Sequence, residues 1–385
     1  MFKIAKLNHI SPKGLSCFTD DYELVDDINE AHAIIVRSHD MKSMEFSPNL
    51  LAIARAGAGV NNIPLERCSQ EGIVVFNTPG ANANAVKELV LTGMLMAARN
   101  LTSAIAWTKT LKSDIPKTVE KNKSKFSGHE IKGKTLGVIG LGSIGVLVAN
   151  AAECLGMKVL GYDPYLTIEH AHALSSKVEL HESLDSLLPL CDYVTIHVPF
   201  MQDTKEMINK ERLLKMKKDV CLLNFSRDQI VKEEDVLKAI DKGIIRTYVT
   251  DFPSEAYLDN DQVICIPHLG ASTYESEVNC AMMAVEELMD FLENGNIKNS
   301  VNFPTINMGL CTTKARLVVL NKNIPAMLGK ITGILADMNV NISDLVNRSK
   351  GDYAVTLVDV DSNIDENQIK EALSDVEGII SVRVI

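Results

Sequence analysis

The run TLGVIGLGSIG at residues 135–145 carries the clearest fold signal in this chain. A short apolar stretch, typical of a buried strand, leads directly into G-x-G-x-x-G and then into a helical pattern. In this arrangement Gly140 makes a tight turn, Gly142 lets the backbone approach a pyrophosphate, and Gly145 lets helix and strand pack closely. The helix N-terminus would face the phosphates with free N–H groups. The run therefore predicts a dinucleotide site, with Ser143 and Ile144 in the same turn.

An acidic residue closes the next predicted strand. The segment KVLGYD ends at Asp163, which lies 23 residues after Gly140, close to the roughly 20 expected for the acid that holds a ribose. A carboxylate accepts hydrogen bonds from ribose hydroxyls and repels a 2′-phosphate. The following residue is Pro164, and no Arg or Lys stands beside it. The pattern favours NAD over NADP.

Further strand-like runs lie on both sides of this motif, separated by helical patterns. This alternation predicts open parallel sheets. The fold class is α/β, with two Rossmann-like doubly wound domains. The last 70 or so residues differ, because their order βαββαβ predicts a small ferredoxin-like domain. The predicted domains are a discontinuous, flavodoxin-like substrate-binding domain, a cofactor domain and a C-terminal domain joined by a hinge-like linker near 299–312. Their bounds are 1–98 with 272–310, then 99–271, then 311–385.

Composition excludes several classes of protein. The net charge of −11 argues against nucleic-acid or anionic-membrane partners, although a small acidic substrate needs only local positive charge. The sequence shows no signal peptide and no apolar run long enough to span a membrane. The eight cysteines are scattered, which predicts free thiols in a reducing cytoplasm and no metal site.

Three polar residues, Arg227, Glu255 and His268, follow predicted strands. Loops at the carboxyl ends of parallel strands converge on the ligand crevice. An imidazole can exchange a proton with a hydroxyl, a guanidinium can hold a carboxylate, and a neighbouring acid can stabilise the imidazolium. Each residue alone has a structural explanation: a surface ion pair, a solvated turn and a helix cap. Together, behind a dinucleotide site, they predict hydride transfer to or from a 2-hydroxy acid.

The chain resembles the D-2-hydroxyacid dehydrogenase family over nearly its whole length, and within it the phosphoglycerate dehydrogenase branch. The resemblance rests on AIIVRSHD (33–40), RAGAGVNNI (55–63), FNTPGANANAVKEL (76–89), HVPFMQDT (197–204), LNFSRDQIV (223–231), TDFPSE (250–255) and PHLGAST (267–273). It implies oxidation of 3-phospho-D-glycerate to 3-phosphohydroxypyruvate with NAD, the first step of serine biosynthesis. Alternatives are reduction of another 2-keto acid, such as hydroxypyruvate, glyoxylate or 2-oxoglutarate, and a non-enzymatic NADH-sensing corepressor.

The resemblance also implies roles for individual residues. Asp251 would hold the nicotinamide carboxamide, and Pro199, Thr204 and Gly270 would complete the cofactor site. Substrate contacts would come from Arg37, Ser38, Gly57, Ala58, Gly59 and Asn61, with Arg37 drawn to the phosphate. Asp228 and Lys232 depart from the family pattern, and Asp228 adds negative charge near an anionic substrate. Lys121, Lys123 and Lys125 offer a second source of positive charge, although a solvated lysine run is the commoner explanation for such a segment.

The C-terminal residues resemble an ACT regulatory domain. Such domains pair across a two-fold axis and bind an amino acid, usually serine, at the seam. The matching positions are Asn321, Asn323 and Asn341, and Ala326 stands where glycine is common. The asparagines could instead cap the helix and the next turn. The resemblance implies a homo-oligomer, a dimer or a tetramer, with serine as a possible effector.

Overall fold

The structure is a computed structural model that describes residues 1–362 and 364–385. Its contacts divide the chain into two compact units, one made of Met1–Asn82 with Tyr274–Ile385 and the other of Ala83–Thr273. The helix Ala83–Ala98 groups with the second unit, whereas the sequence placed the first boundary after residue 98. The residues predicted as a third domain group with the first unit.

The amino-terminal segment forms a parallel five-stranded sheet in the order β2-β1-β3-β4-β5, the flavodoxin-like order. The predicted strands are confirmed to within a residue or two at each end, because their β-branched and alanine side chains are buried on both faces. The edge strand Tyr22–Val25 was not predicted. The elements are β1 (Phe2–Leu7), α1 (Pro12–Leu15), β2 (Tyr22–Val25), a 3₁₀ turn (Ile28–Glu30), β3 (Ala33–Val36), β4 (Ala52–Arg55), α2 (Leu65–Gln70) and β5 (Val74–Asn77).

The second unit contains a seven-stranded parallel sheet in the order β12-β11-β10-β9-β6-β7-β8. This doubly wound order confirms the predicted Rossmann-like class. The short edge strand Glu179–Leu180 was not predicted. The strands are β6 (Thr135–Ile139), β7 (Lys158–Tyr162), β8 (Glu179–Leu180), β9 (Tyr193–Ile196), β10 (Val220–Asn224), β11 (Ile245–Thr250) and β12 (Val263–Cys265). The helices are α3 (Ala83–Ala98), α4 (Leu101–Lys109), α5 (Ile115–Asn122), α6 (Ser143–Cys154), α7 (Ile168–Ala173), α8 (Leu184–Leu187), α9 (Lys210–Leu213), α10 (Glu233–Asp241) and α11 (Glu255–Leu258), with 3₁₀ turns at Lys123–Phe126, Leu188–Leu190 and Asp228–Ile230.

The carboxyl-terminal segment returns to the first unit with one long helix and a separate antiparallel sheet. The sheet has the order β14-β15-β13-β16, and its chain order confirms the predicted βαββαβ arrangement. We call it the C-terminal sheet. Its elements follow the long helix α12 (Tyr274–Asn294) as β13 (Ala315–Lys322), α13 (Met327–Asp337), β14 (Ile342–Lys350), β15 (Tyr353–Val360), α14 (Glu366–Ser374) and β16 (Ile379–Val384).

The C-terminal sheet shares a hydrophobic core with the parallel sheet of its unit. Phe76 of β5, Phe291 of α12 and Val318 and Leu357 of the C-terminal sheet belong to a single buried cluster. Burial of apolar side chains is the main stabilising contribution to a fold, so the two sheets stabilise each other.

Polar contacts fasten the segment that connects α12 to β13. Asn302 accepts a hydrogen bond from the amide of Val75 at 2.8 Å and donates to the carbonyl of Ile73 at 2.9 Å. Arg316, only 1% exposed at its side chain, forms a two-pronged ion pair with Asp359 at 2.5 and 2.8 Å. It also donates to the carbonyls of Asn294 and Gly309, at 2.9 and 2.8 Å. The segment predicted as a hinge therefore has fixed partners on both sides.

No single helix within the described residues is long and apolar enough to cross a membrane. Helices α3 and α4 pass the same test of length and composition only when taken together, across a 69° bend. The described residues contain no group of His, Cys, Asp and Glu side chains arranged to hold a metal ion.

Candidate active site

The glycines of the motif have distinct physical roles. Gly140 has a φ of +89°, and a Cβ there would lie 2.6 Å from the carbonyl oxygen of His197. A Cβ at Gly145 would lie 1.9 Å from the carbonyl oxygen of Gly140. By contrast, a Cβ at Gly142 would have none of the described atoms beyond its own chain neighbours within 4 Å. Gly140 and Gly145 are therefore required by packing, whereas Gly142 borders open space at the N-terminus of α6.

Asp163 is positioned beside this turn by hydrogen bonds. One carboxylate oxygen accepts from the amide of Leu141 and the other from the amide of Tyr165, each at 2.8 Å. Each carboxylate oxygen has two lone pairs, so both can accept a further hydrogen bond. Ser143 Oγ lies 3.4 Å from Nε2 of His170. Ile144 is half-buried against the core of the unit.

The loop after β9 carries the other predicted cofactor residues. Thr204 Oγ1 donates to the carbonyl of Pro199 at 2.7 Å and accepts from the amide of Met201 at 2.8 Å, which closes the loop. Sequence reasoning missed His197 in the same segment, although HVPFMQDT was recognised as a family motif. Its Nε2 lies 2.9 Å from Thr195 Oγ1, and its Nδ1 is buried with no partner among the described atoms. Burial lowers the pKa of His197 to about 3, so the ring is neutral at physiological pH.

Asp251 lies at the end of β11, and His268 follows β12. The Asp251 side chain is buried, and its Oδ2 accepts from the amide of Gly270 at 3.0 Å. Its Oδ1 is buried and has no partner in the described part of the chain. Burial raises the pKa of Asp251, while the Gly270 amide and the nearby charges of His268 and Arg227 act in the opposite direction. The unpaired oxygen is an acceptor available to a ligand.

His268 is held in a conformation that few residues other than glycine adopt. Its φ is +37°, and its amide donates to the carbonyls of Asp251 at 2.9 Å and Ile266 at 3.0 Å. The imidazole packs edge-on against Phe252, with ring centroids 5.0 Å apart. A cavity of about 500 Å³ opens beside the ring. Its lining includes Asp228, Glu233, Tyr248, Asp251, Phe252, Tyr257 and His268.

The structure does not bring all three predicted catalytic side chains into contact. Arg227 follows β10, is exposed, and donates to the carbonyl of Ser226 at 2.6 Å. In the described chain no carboxylate forms an ion pair with it. Glu255 begins α11 and is exposed, and no described hydrogen bond joins it to His268. The acid that the structure places next to His268 is Asp251.

The predicted substrate residues lie in the first unit. Gly57 has a φ of +145°, and a Cβ there would lie 1.8 Å from Arg55 Nη1. Its loop is fixed because the amide of Thr78 donates to the carbonyl of Gly57 at 3.2 Å and Asn77 Nδ2 donates to that of Ala58 at 2.6 Å. Gly59 is half-buried, whereas Ala58 and Asn61 are exposed.

Arg37 and Ser38 form a second group of predicted substrate residues, directly after β3. Arg37 is ion-paired with Glu277, with Nη1 and Oε1 separated by 2.6 Å. The amide of Ser38 donates to Asn8 Oδ1 at 3.0 Å. The sequence did not predict that Arg37 has an acidic partner.

Two of the three predicted effector residues have defined partners. Asn321 is buried and donates to the carbonyl of Lys322 at 2.7 Å, while its Oδ1 is buried with no partner among the described atoms. Asn323 donates to the carbonyl of Gly351 at 3.0 Å, and Asn341 is exposed. Ala326 has a φ of +68°, which explains why glycine is expected at that position.

These features fit a bound dinucleotide. Gly142 leaves the phosphate turn open, Asp163 can accept from ribose hydroxyls, and the unpaired Oδ1 of Asp251 can accept from an amide such as that of nicotinamide. When bound, the oxidised cofactor would supply the hydride acceptor.

Comparison with known proteins agrees with this interpretation. Residues 91–270 match the family described as D-isomer specific 2-hydroxyacid dehydrogenase, NAD binding domain. A Haemophilus influenzae protein named D-3-phosphoglycerate dehydrogenase is 32% identical over 380 residues, covering 95% of this chain and 89% of that protein. A Methanocaldococcus jannaschii protein of the same name is 35% identical over 84% of this chain, which spans only 61% of that longer relative.

A solved structure supports the same assignment. The NAD⁺-bound 3-phosphoglycerate dehydrogenase of Entamoeba histolytica is 28% identical, with a TM-score of 0.62 over 78% of this chain and 98% of that one. The prediction of NAD as the cofactor is confirmed by this neighbour and by the matching NAD-binding domain. The chain belongs to the D-isomer specific 2-hydroxyacid dehydrogenase family.

Proposed function

We propose that the protein oxidises 3-phospho-D-glycerate to 3-phosphohydroxypyruvate with NAD, the reaction that opens serine biosynthesis. One observation carries the proposal: the match to the Haemophilus influenzae D-3-phosphoglycerate dehydrogenase extends over 95% of this chain and 89% of that protein. The eight free cysteines are consistent with a reducing cytoplasm as its compartment.

In the proposed reaction His268 is the general base that removes the proton from the C2 hydroxyl. Its ring lies at the cavity, and its backbone amide is held by the carbonyls of Asp251 and Ile266. Arg227 binds the substrate carboxylate. Its guanidinium is available for this because it forms no ion pair among the described residues. Glu255 keeps its predicted role as an acid that stabilises the imidazolium, reached through movement of its exposed side chain.

The proposal assigns substrate binding in the first unit to two groups of residues. Backbone amides of Gly57, Ala58 and Gly59, with Asn61 beside them, would bind the substrate carboxylate. Arg37 would bind the phosphate, next to Ser38. The hydrogen bonds that the carbonyls of Gly57 and Ala58 accept fix this loop, and preformed backbone donors bind anions without further ordering. This supports the assignment for the amides of Ala58 and Gly59, whereas the amide of Gly57 already donates to the carbonyl of Arg55 at 2.8 Å.

A non-phosphorylated 2-keto acid is the second candidate substrate. The observation that favours it is the acidic lining of the cavity next to His268, where Asp228, Glu233 and Asp251 would repel a phosphate. Hydroxypyruvate, glyoxylate and 2-oxoglutarate carry less negative charge than phosphoglycerate.

We further propose that the C-terminal sheet is an ACT domain that binds an amino acid, with serine first among candidates, and assembles the chain into a dimer or tetramer. The strand order supports the domain type. The unpaired buried oxygen of Asn321 supports a ligand site, together with Asn323 and Asn341. Among the described residues the outer strand Ile342–Lys350 is paired on one side only, which leaves an edge for a second copy.

The decisive experiment is the initial rate of NADH formation with 3-phosphoglycerate at alkaline pH, with and without serine. Saturable activity that serine inhibits supports both proposals. Activity without inhibition would contradict serine as the effector. Absence of activity, together with NADH oxidation by hydroxypyruvate or glyoxylate, would replace phosphoglycerate with the second candidate substrate.

A further inference from the structure

The ion pair between Arg37 and Glu277 occupies a residue that the proposed function needs. Arg37 directly follows β3, and Glu277 lies in the first turn of α12. Nη1 of Arg37 is 2.6 Å from Oε1 of Glu277, and each side chain is about one-third exposed, at 33% and 34%. The two groups are therefore reachable by a solute and already neutralise each other.

We propose that Glu277 is a specificity-determining residue that competes with the substrate phosphate for Arg37. The inference rests on the proposed function, in which Arg37 binds that phosphate. A phosphorylated substrate must displace the carboxylate or bind beside it against its negative charge. Glu277 therefore weakens binding of a phosphate anion and leaves substrates without a phosphate unaffected.

Packing of α12 does not depend on this ion pair. The helix is held by its buried face, where Val278, Cys280 and Ala281 are between 1% and 5% exposed. A Cβ added at Gly14 would lie 2.3 Å from that of Ala281, which shows how closely α1 approaches the helix. A partly exposed ion pair contributes little to stability beside such contacts, so it can open at low cost.

Exchange of partners is chemically reasonable at this position. A phosphate offers three acceptor oxygens and close to two negative charges at neutral pH, whereas the Glu277 carboxylate offers two oxygens and one charge. Arginine binds either group through its planar fork of N–H donors. The phosphate therefore competes successfully, but with lower affinity than it would have for an unpaired arginine.

The test compares Glu277→Gln with Glu30→Gln. In Glu277→Gln the new amide keeps an oxygen that can accept from Arg37 but carries no charge, so folding is preserved. Glu30→Gln is the control because it also removes one carboxylate from an ion pair, the one that Glu30 forms with Lys3 at 2.5 Å. Glu30 lies before β3, at the end of the strand opposite to Arg37. Rates are measured with 3-phosphoglycerate and with D-glycerate, which lacks the phosphate.

We expect Glu277→Gln to lower KM for 3-phosphoglycerate roughly five-fold, a factor that corresponds to about 1 kcal/mol. The effect should appear in KM rather than kcat, be absent with D-glycerate and with Glu30→Gln, and vanish in an Arg37→Gln background. An unchanged or higher KM for 3-phosphoglycerate would overturn the inference, as would an equal change with D-glycerate.

A binding measurement separates this inference from the proposed function. Inorganic phosphate is titrated against each purified full-length variant by calorimetry, without turnover. A lower phosphate Kd in Glu277→Gln than in the wild type, with no such difference in the Arg37→Gln background, supports the competition. If 3-phosphoglycerate is nevertheless not oxidised, the proposed function fails and the competition for Arg37 stands. If 3-phosphoglycerate is oxidised normally but Glu277→Gln changes neither the phosphate Kd nor KM, the inference is rejected and the proposed function stands.

Discussion

Two neighbouring glycines of the phosphate turn should respond in opposite ways to the same substitution. At Gly145 a Cβ would lie 1.9 Å from the carbonyl oxygen of Gly140, where real contacts exceed 3.0 Å. Helix α6 must therefore shift by more than 1 Å from β6. Overpacking of this kind costs about 1–3 kcal/mol, offset by up to about 1 kcal/mol from the higher helix propensity of alanine.

At Gly142 the same methyl group meets no atom of the described residues within 4 Å apart from its chain neighbours. The backbone there, with φ −75° and ψ −164°, is open to alanine. Gly142→Ala should leave stability within about 0.5–1 kcal/mol of wild type, the scale of a change at a helix N-cap. It should nevertheless weaken NAD binding at least ten-fold, because the methyl group occupies the space where the pyrophosphate approaches the backbone.

The assay pairs thermal unfolding without ligand with the Kd for NAD measured by protein fluorescence. Gly145→Ala should lower the melting temperature by roughly 2–8 °C. Gly142→Ala should retain the melting temperature and lose affinity. Wild-type NAD affinity in Gly142→Ala would refute the placement of the pyrophosphate, and wild-type stability in Gly145→Ala would refute the packing argument.

Three further changes test other parts of the structure. Arg316→Met leaves Asp359 buried without its partner and should lower the free energy of unfolding by about 3–5 kcal/mol, or the melting temperature by roughly 6–20 °C. The double variant with Asp359→Leu should recover most of this stability. A loss below about 1 kcal/mol in Arg316→Met would contradict the buried ion pair. Burial raises the pKa of Glu287 from 4.5 to about 8, so the folded state keeps a proton that the unfolded chain releases, and stability should fall as pH rises through that range. Melting temperatures measured at pH 5, 6.5 and 8 should show this fall in stability in the wild type and in the exposed control Glu286→Gln. The fall should be absent in Glu287→Gln. His268→Gln should lower kcat by about 10²–10⁴ with an unchanged Kd for NAD in equilibrium titrations, and unchanged turnover would exclude it as the base.

Local sequence patterns predicted most of the fold because the buried strands are continuous apolar runs. Val220–Asn224, which is buried throughout, was predicted to the residue. Ile342–Lys350 was also predicted to the residue, although none of its side chains is fully buried. The two missed strands lie at sheet edges and are largely exposed, so neither Tyr22–Val25 nor Glu179–Leu180 has an apolar run to reveal it. Tertiary packing also decided which unit α3 joins, and hydrophobicity along the chain carries no such information.

Local geometry of the candidate site was predictable where it depends on residue type and spacing, as in the tight turn at Gly140 and the close packing at Gly145. The ribose-binding role of Asp163 stays a prediction. It was not predictable where distant segments meet. The approach of Glu277 to Arg37 joins residues 240 positions apart, and no local signal marks it. The positive φ of His268 likewise arises from the path of the chain after β12, since histidine has no preference for that conformation strong enough to predict it.

The cluster that joins Phe76, Phe291, Val318 and Leu357 has a consequence for how this protein can be dissected. A chain ending at residue 310 would leave one side of that cluster facing water and would remove Arg316 from the carbonyls it binds. Such a truncation is expected to aggregate or unfold rather than to yield an unregulated catalytic fragment. Any ligand that bound to the C-terminal sheet would act on the parallel sheet of the same unit directly through this shared interior, without a hinge between them.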